Sequence, residues 1–247
     1  MSGLTQTRAA SFGAAADAYE RARPSYPEAA IDWLLPRGAG RVLDLGAGTG
    51  KLTRQIRARG LDVVAVEPSE GMRARFSRGL PDVPVCAGSA EAIPLDDASV
   101  DAVVVGQAWH WFDPARAVPE VARVLKPGGW LGLIWNIRDR RDPWMDAFSA
   151  LEPDHDNSEA DSESPRVGPP FGAVERFDLP WRQSTTAAAL IDLLASRSYV
   201  IVLPEAERAT LLADVRRFLA TDPLTAGKPE ISAPYVTRCS RAQMGGG

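Results

Sequence analysis

Arg41-Val42-Leu43-Asp44-Leu45-Gly46-Ala47-Gly48-Thr49-Gly50 is the stretch whose reading decides the fold. Arg41 to Leu45 is a short, mostly apolar run that reads as a β-strand, and glycines at alternate positions end it. Glycine tolerates positive φ and lets the backbone approach a ligand closely. Lys51 to Arg59 then reads as a helix, with Gly60 where a C-terminal glycine cap belongs. A strand, a glycine turn and a helix N-terminus together offer backbone N–H groups to a ligand at the end of the strand. A dinucleotide fingerprint needs a further glycine one residue on, for tight helix–strand packing. That position holds Lys51. A glycine turn with no ligand is the plain alternative for the loop read alone.

Outward from this loop, short β-branched runs alternate with helical stretches, the pattern of a parallel sheet with crossover helices. Asp62 to Glu67 reads as a second strand, Glu70 to Arg78 as a helix closed by Gly79, and Val83 to Ala87 as a third strand. Val100 to Gly106 is a fourth strand, apolar enough for burial on both faces. Asp113-Pro114 forms an N-cap and first-turn pair for the next helix, and Pro119 inside it predicts a kink. The turn Lys126-Pro127-Gly128-Gly129 launches a fifth strand, Trp130 to Trp135. Residues 152–170 are rich in acidic residues and proline and poor in apolar ones, which predicts a mobile loop. Beyond it come a strand over Val174 to Trp181, helices over Ala187 to Ser196 and Glu205 to Ala220, and a last strand around Ile231 to Cys239.

Composition narrows the partners. The 247 residues carry 28 basic and 32 acidic side chains, a formal net charge of −4, without a basic run. This argues against nucleic acid as the main partner. No segment reaches the length of a membrane span and the N-terminus lacks a signal-peptide core, so a cytoplasmic protein away from the membrane is expected. Cys86 and Cys239 are too few for a disulfide framework or thiol metal site, and His110 and His155 are the only histidines, so no metal site is expected.

Glu67, in Val64-Ala65-Val66-Glu67-Pro68, ends the second strand. An acidic residue about twenty positions beyond a glycine loop can accept both hydroxyls of a ribose. With Leu43-Asp44-Leu45-Gly46-Ala47-Gly48-Thr49-Gly50 ahead of it, and Gly88-Ser89-Ala90-Glu91, Gln107 and Leu125-Lys126-Pro127-Gly128-Gly129 in order after it, the sequence resembles the class I S-adenosylmethionine (SAM)-dependent methyltransferases over Gly38 to Asn136. The resemblance implies an α/β fold: a Rossmann-like, seven-stranded, mostly parallel sheet with helices on both faces, plus helical cap elements. It implies SAM as methyl donor and S-adenosylhomocysteine as product. Asp44, Gly46, Ala47, Gly48 and Gly50 would hold the methionine part, Glu67 with Pro68 the ribose side, and Met72 would pack on adenine. Ser89 stands where members often have an aspartate for the adenine amino group, with Ala90 and Glu91 following. Gln107 would line the methionine end.

Arg23-Pro24-Ser25-Tyr26-Pro27 and Gln107-Ala108-Trp109-His110-Trp111-Phe112-Asp113 are similar to the small-molecule group that includes trans-aconitate methyltransferase. That similarity implies an N-terminal cap segment (1–36) ahead of a methyltransferase domain (37–247) with a helical substrate-cap insertion (186–221). Tyr19, Arg23 and Tyr26 would close the cofactor pocket, and Arg197 and Tyr199 would touch the acceptor. The plainer readings are that the proline-flanked segment only positions a helix near Pro27, and that Arg197 is a helix-end arginine favoured by the dipole. Trp109 and Trp111 read as pocket walls. His110 is the one imidazole at the sheet's carboxyl edge, either a general base or part of the loop packing.

The acceptor is expected to be a small molecule, and a carboxylate oxygen needs no base because it is ionised at neutral pH. A hydroxyl or amine acceptor would call on His110. A SAM-binding protein without catalysis is the reading from another class. A nucleotide-dependent oxidoreductase is opposed by Lys51 and by the Lys126–Gly129 motif. Oligomeric state is not legible.

Overall fold

The computed structural model describes residues 23–152 and 165–245. Its elements run α1 (Glu28–Leu34), β1 (Arg41–Leu45), α2 (Lys51–Arg57), β2 (Asp62–Val66), α3 (Glu70–Gly79), β3 (Val85–Cys86), β4 (Val100–Gly106), a 3-10 turn (Trp109–Trp111), α4 (Pro114–Val124), β5 (Leu125–Arg138), α5 (Pro143–Ser149), β6 (Glu175–Thr185), α6 (Ala187–Ala195), α7 (Ser198–Ile201), α8 (Glu205–Thr221) and β7 (Ile231–Gln243). The seven strands form one sheet in the order β3-β2-β1-β4-β5-β7-β6. β1 pairs in parallel with β2 and β4, β2 with β3, and β4 with β5.

β7 runs against both neighbours. The Asp139 N–H donates to the Pro234 carbonyl and the Met244 N–H to that of Gly129, so β5 residues rise as β7 residues fall. Likewise Glu175 meets Arg241 and Asp178 meets Arg238 across β6 and β7. The order reverses at β1 and β4, the crevice where open α/β sheets bind ligands.

The described residues group into two compact units, 25–137 with 165–179 and 237–245, and 23–24 with 138–152 and 180–236. In the larger unit, strand alternation feeds two cores. Leu43, Leu45, Val103, Val105, Leu131 and Leu133 pack with Val118 and Val121 of α4. Val42, Ala65, Ala102 and Val104 pack with Ile31, Ile56 and Phe76 of α1, α2 and α3. Period-two alternation with both faces apolar requires helices on both sides of the sheet, and that is the arrangement found. In the smaller unit Trp144 and Phe148 of α5, Leu190 and Leu194 of α6, and Val200 of α7 bury together. They pack with the i, i+4 stripe Leu211, Val215 and Leu219 of α8, and with Tyr235. The expected cap region 186–221 falls wholly within this unit.

Several boundaries differ from expectation. Lys126–Gly129 lies inside β5: Val100 pairs with Leu125 and Ala102 with Trp130, so the motif bulges out of register at Gly128, φ +77°. α4 continues through Pro119 without a break, with Asp113 accepting from the Ala115 N–H at its start. α5 was not expected, because its seven residues are too few to show a helical period. Of the expected loop 152–170, residues 153–164 lie outside the described residues. No helix among the described residues is long and apolar enough to cross a membrane.

Candidate active site

The glycine loop leaves β1 and folds back onto the end of β2, where the N–H groups of Gly46 and Ala47 both donate to the Val66 carbonyl, at 2.8 and 3.2 Å. Its three glycines do different work. Gly46 (φ +73°) passes so close to the segment after β4 that a Cβ would sit 3.0 Å from that of Ala108. Gly50 (φ +85°) is wedged under α3, where a Cβ would meet Leu80 at 2.6 Å and Phe76 at 2.8 Å. It thus supplies the close packing that the dinucleotide pattern assigns to a glycine one residue later. Gly48 (φ +57°) has nothing within 4 Å of its would-be Cβ, so its bare face is open to a ligand.

Two carboxylates flank this opening. Asp44 is 1% exposed and accepts from the Thr53 hydroxyl at 2.5 Å. Burial pushes its carboxyl up to about 6, the Thr53 hydrogen bonds hold it down, and the charge of Glu67 adds a smaller upward push. Glu67 is buried at the end of β2 and spends one oxygen on the Gly48 N–H and the other on the Ser69 N–H, each at 2.9 Å. Each oxygen keeps a second lone pair, which is what two ribose hydroxyls need. Pro68 is exposed, and Met72 stands half-buried in the first turn of α3, which Ser69 caps.

At the neighbouring strand end, Ser89 donates to the Glu91 carboxylate, and Glu91 accepts from the Asp113 N–H at 3.0 Å. Burial works against the Glu91 charge, yet those donors hold its carboxyl below the usual range. The Ser89 oxygen can still accept from an amino group, the role open to a serine where members carry aspartate. Ala90 is buried in the core beside them. Gln107 has φ +58°, an uncommon conformation for a side-chain-bearing residue. Its side-chain amide donates to the Asn136 carbonyl at 3.2 Å. Asn136 in turn donates to the Ser25 carbonyl and accepts from Thr237, tying the N-terminal segment to β5 and β7.

The expected cap residues divide. Tyr19 lies outside the described residues. Tyr26 is buried in the larger unit, its main chain clasped by the Gln55 side chain at 3.1 and 2.7 Å. Its hydroxyl fills the space beside Gly106, 2.8 Å from a would-be Cβ. Trp109 is 2% exposed and packs edge-on against Phe112, whereas Trp111 is 69% exposed. His110 lies between them in the 3-10 turn, half-buried, its ring 4.7 Å from that of Trp111.

Arg197 and Tyr199 belong to the smaller unit with Arg23, and both reach Glu152. Glu152 also forms an ion pair with Arg138, a residue that sequence reading passed over because an arginine ending a strand looks like a solvated edge. Arg138 is 8% exposed. Burial opposes both charges, but Arg138 and Arg197 keep the Glu152 carboxyl below the usual range and Glu152 keeps Arg138 protonated.

An open glycine loop, a ribose-competent glutamate and the reversed strand order define a nucleoside-cofactor-binding α/β enzyme. Residues 43–133 match the methyltransferase domain family. An uncharacterized methyltransferase of Mycobacterium tuberculosis is 53% identical over 236 residues, 95% of this chain and 96% of that one. The solved structure of a proposed type II methyltransferase from Anaeromyxobacter dehalogenans superposes with a TM-score of 0.68 at 26% identity. It covers 91% of this chain and 97% of that one. A malonyl-[acyl-carrier protein] O-methyltransferase of Methylococcus capsulatus is 40% identical over 134 residues, 49% of this chain and 48% of that protein. The chain belongs to the class I SAM-dependent methyltransferases, and SAM is its methyl donor.

Proposed function

We propose that the protein methylates a carboxylate oxygen of a small organic acid. The observation that carries this reading is the burial of a carboxylate, that of Glu152, among Arg138, Arg197 and Tyr199 in the smaller unit. A fold that stabilises one carboxylate out of water with guanidinium and phenol donors has the chemistry to recognise another. The malonyl-[acyl-carrier protein] relative supports it, since the oxygens of a malonyl group that can become a methyl ester belong to its free carboxylate. The similarity of the segments at Arg23 and Trp109 to the trans-aconitate group points the same way.

SAM, when bound, supplies a methyl carbon activated by the positive sulfonium to which it is attached. The chain's own task is then alignment and exclusion of water. Gly48 leaves room for the methionine part beside Asp44, whose carboxylate suits a positive ammonium or sulfonium. Glu67 would take the ribose hydroxyls, Ser89 the adenine amino group, and Met72 the adenine face. Transfer of that methyl group to an ionised carboxylate oxygen would leave an ester and the neutral thioether S-adenosylhomocysteine, and would ask no residue of the chain to move a proton. His110 has no part in such a step. With a hydroxyl or amine acceptor, His110 in the turn after β4 would take the proton.

The test is incubation with methyl-labelled SAM and a panel of small organic acids beside their amides, followed by mass spectrometry. Label in a product that mild base hydrolyses to methanol is the expected result. Label only in base-stable products would overturn the carboxylate oxygen in favour of a hydroxyl or amine. Label in no product from the panel or from a cell extract would favour a non-catalytic SAM-binding role.

A further inference from the structure

Arg138 ends β5, and the hydrogen bond from the Asp139 N–H to the Pro234 carbonyl sets it directly opposite Tyr235 on β7. Opposed residues of an antiparallel pair share a face of the sheet. The Arg138 guanidinium lies 4.7 Å from the centre of the Phe148 ring, and the Tyr235 ring stacks on Trp181 at 5.5 Å. Both residues belong to the smaller unit, as do all their partners named here.

Their donors are incompletely used. Nη1 of Arg138 donates to Glu152, but Nε and Nη2 are buried and have no hydrogen-bond partner among the described residues. The hydroxyl of Tyr235, a residue 3% exposed, is in the same condition. Nε and Nη2 carry the two parallel N–H bonds of the guanidinium's side, the edge that grips a carboxylate with two bonds at once. Leaving such groups buried and unpaired costs about 1–3 kcal/mol each, and more for a charged one.

We infer that the Nε–Nη2 edge of Arg138 and the hydroxyl of Tyr235 form a carboxylate-binding site for the acceptor. One carboxylate there, with its two oxygens side by side, satisfies the orphaned donors. The carboxylate held in this way is a recognition handle and not the group methylated, because hydrogen bonds from a charged fork and a phenol fix both its oxygens and lower their nucleophilicity. The acceptor is therefore an acid with a second nucleophilic group. Under the proposed function that group is another carboxylate; this identity alone rests on that reading.

The 247-residue chain, saturated with S-adenosylhomocysteine, is titrated calorimetrically with glutarate, dimethyl glutarate and inorganic phosphate. Glutarate is expected to bind, and its diester and phosphate to bind at least tenfold more weakly. Tyr235→Phe should weaken glutarate about tenfold, the loss of one hydrogen bond to a charged group. The Tm of the ligand-free variant should equal or exceed that of the wild type, because the hydroxyl has no partner to lose and its unpaired burial is relieved. Glu152→Gln, which removes the competing negative charge, should tighten glutarate binding, the opposite of what a purely structural Glu152 would give. Where Arg138→Met alone fails to fold, Arg138→Met with Glu152→Gln removes both charges together and should bind glutarate no better than the diester. Equal binding of diacid and diester, or wild-type glutarate affinity in Tyr235→Phe, would overturn the site and assign the two donors to buried water. A Tyr235-dependent diacid site in a protein making only base-stable products would retain this inference and remove the carboxylate-oxygen reading. A hydrolysable ester made by Tyr235→Phe with wild-type acceptor KM would do the reverse.

Discussion

Asp44 pays for its position at the cofactor end of β1. An acid whose pKa rises from 3.8 to about 6 on folding binds its proton more tightly in the native than in the unfolded chain across that window. Its ionisation therefore removes stability as pH climbs through the window, and the loss is complete above about 6. Asp44→Asn keeps an oxygen for the Thr53 hydroxyl but carries no charge. It should raise the stability of the ligand-free protein at pH 7.5 by roughly 1–3 kcal/mol in denaturant titrations. The same variant should weaken SAM binding at least tenfold, and wild-type affinity should fall as pH drops below about 6. A variant that is less stable at pH 7.5 yet binds SAM normally would refute this account. The glycines separate in the same manner. Gly50→Ala drives a methyl group into Phe76 and Leu80 and should abolish folding or lower Tm sharply. Gly48→Ala meets no protein atom and should cost about 1–2 kcal/mol for its positive φ while SAM affinity drops disproportionately.

At the scale of elements, the turn after β4 and the helices of the smaller unit carry the acceptor question. His110 sits in a three-residue 3-10 turn, and with a carboxylate acceptor its removal should leave the pH–rate profile flat near neutrality and cost little rate. Loss of a true general base costs on the order of a hundredfold or more. A His110→Ala enzyme with normal SAM affinity and a rate reduced by that larger factor would move the acceptor to a hydroxyl or amine. Arg197 follows α6 and reaches the Glu152 carboxylate at 3.9 Å, a long ion pair. Arg197→Ala should raise acceptor KM and leave both kcat and the Kd for SAM nearly unchanged, measured by initial rates and calorimetry.

At the scale of the whole molecule, cofactor binding and stability are linked, because a ligand that binds only the folded chain stabilises it. S-adenosylhomocysteine at a hundred times its Kd should add about 2.7 kcal/mol. For a chain of this length that is a rise in Tm of roughly 5–10 °C. NAD should give none, since Lys51 stands in place of the third glycine of its fingerprint and Gly50 already fills the close-packing role. Glu67→Ala removes the acceptor for the Gly48 and Ser69 N–H groups together with the proposed ribose contact, so most of that rise should vanish in a thermal-shift series.

The cofactor end was legible in the sequence because its signals are local. Alternating glycines permit the positive φ of a tight turn into a helix, a continuous apolar strand demands helices on both sides, and Glu67 follows at a spacing that the strand–helix–strand unit itself sets. The order of Arg41–Leu45, Asp62–Glu67 and Val100–Gly106 therefore carried the central sheet almost residue by residue. The proposed acceptor end was not legible, because its chemistry is made of distant residues. Arg138, Glu152, Tyr199 and Tyr235 are brought together only when β5 and β7 pair in antiparallel register and α7 folds beside them. An arginine ending one strand and a tyrosine in another look solvated in sequence. Register alone decides that they face each other, and burial alone turns their unspent hydrogen bonds into a demand for an anion.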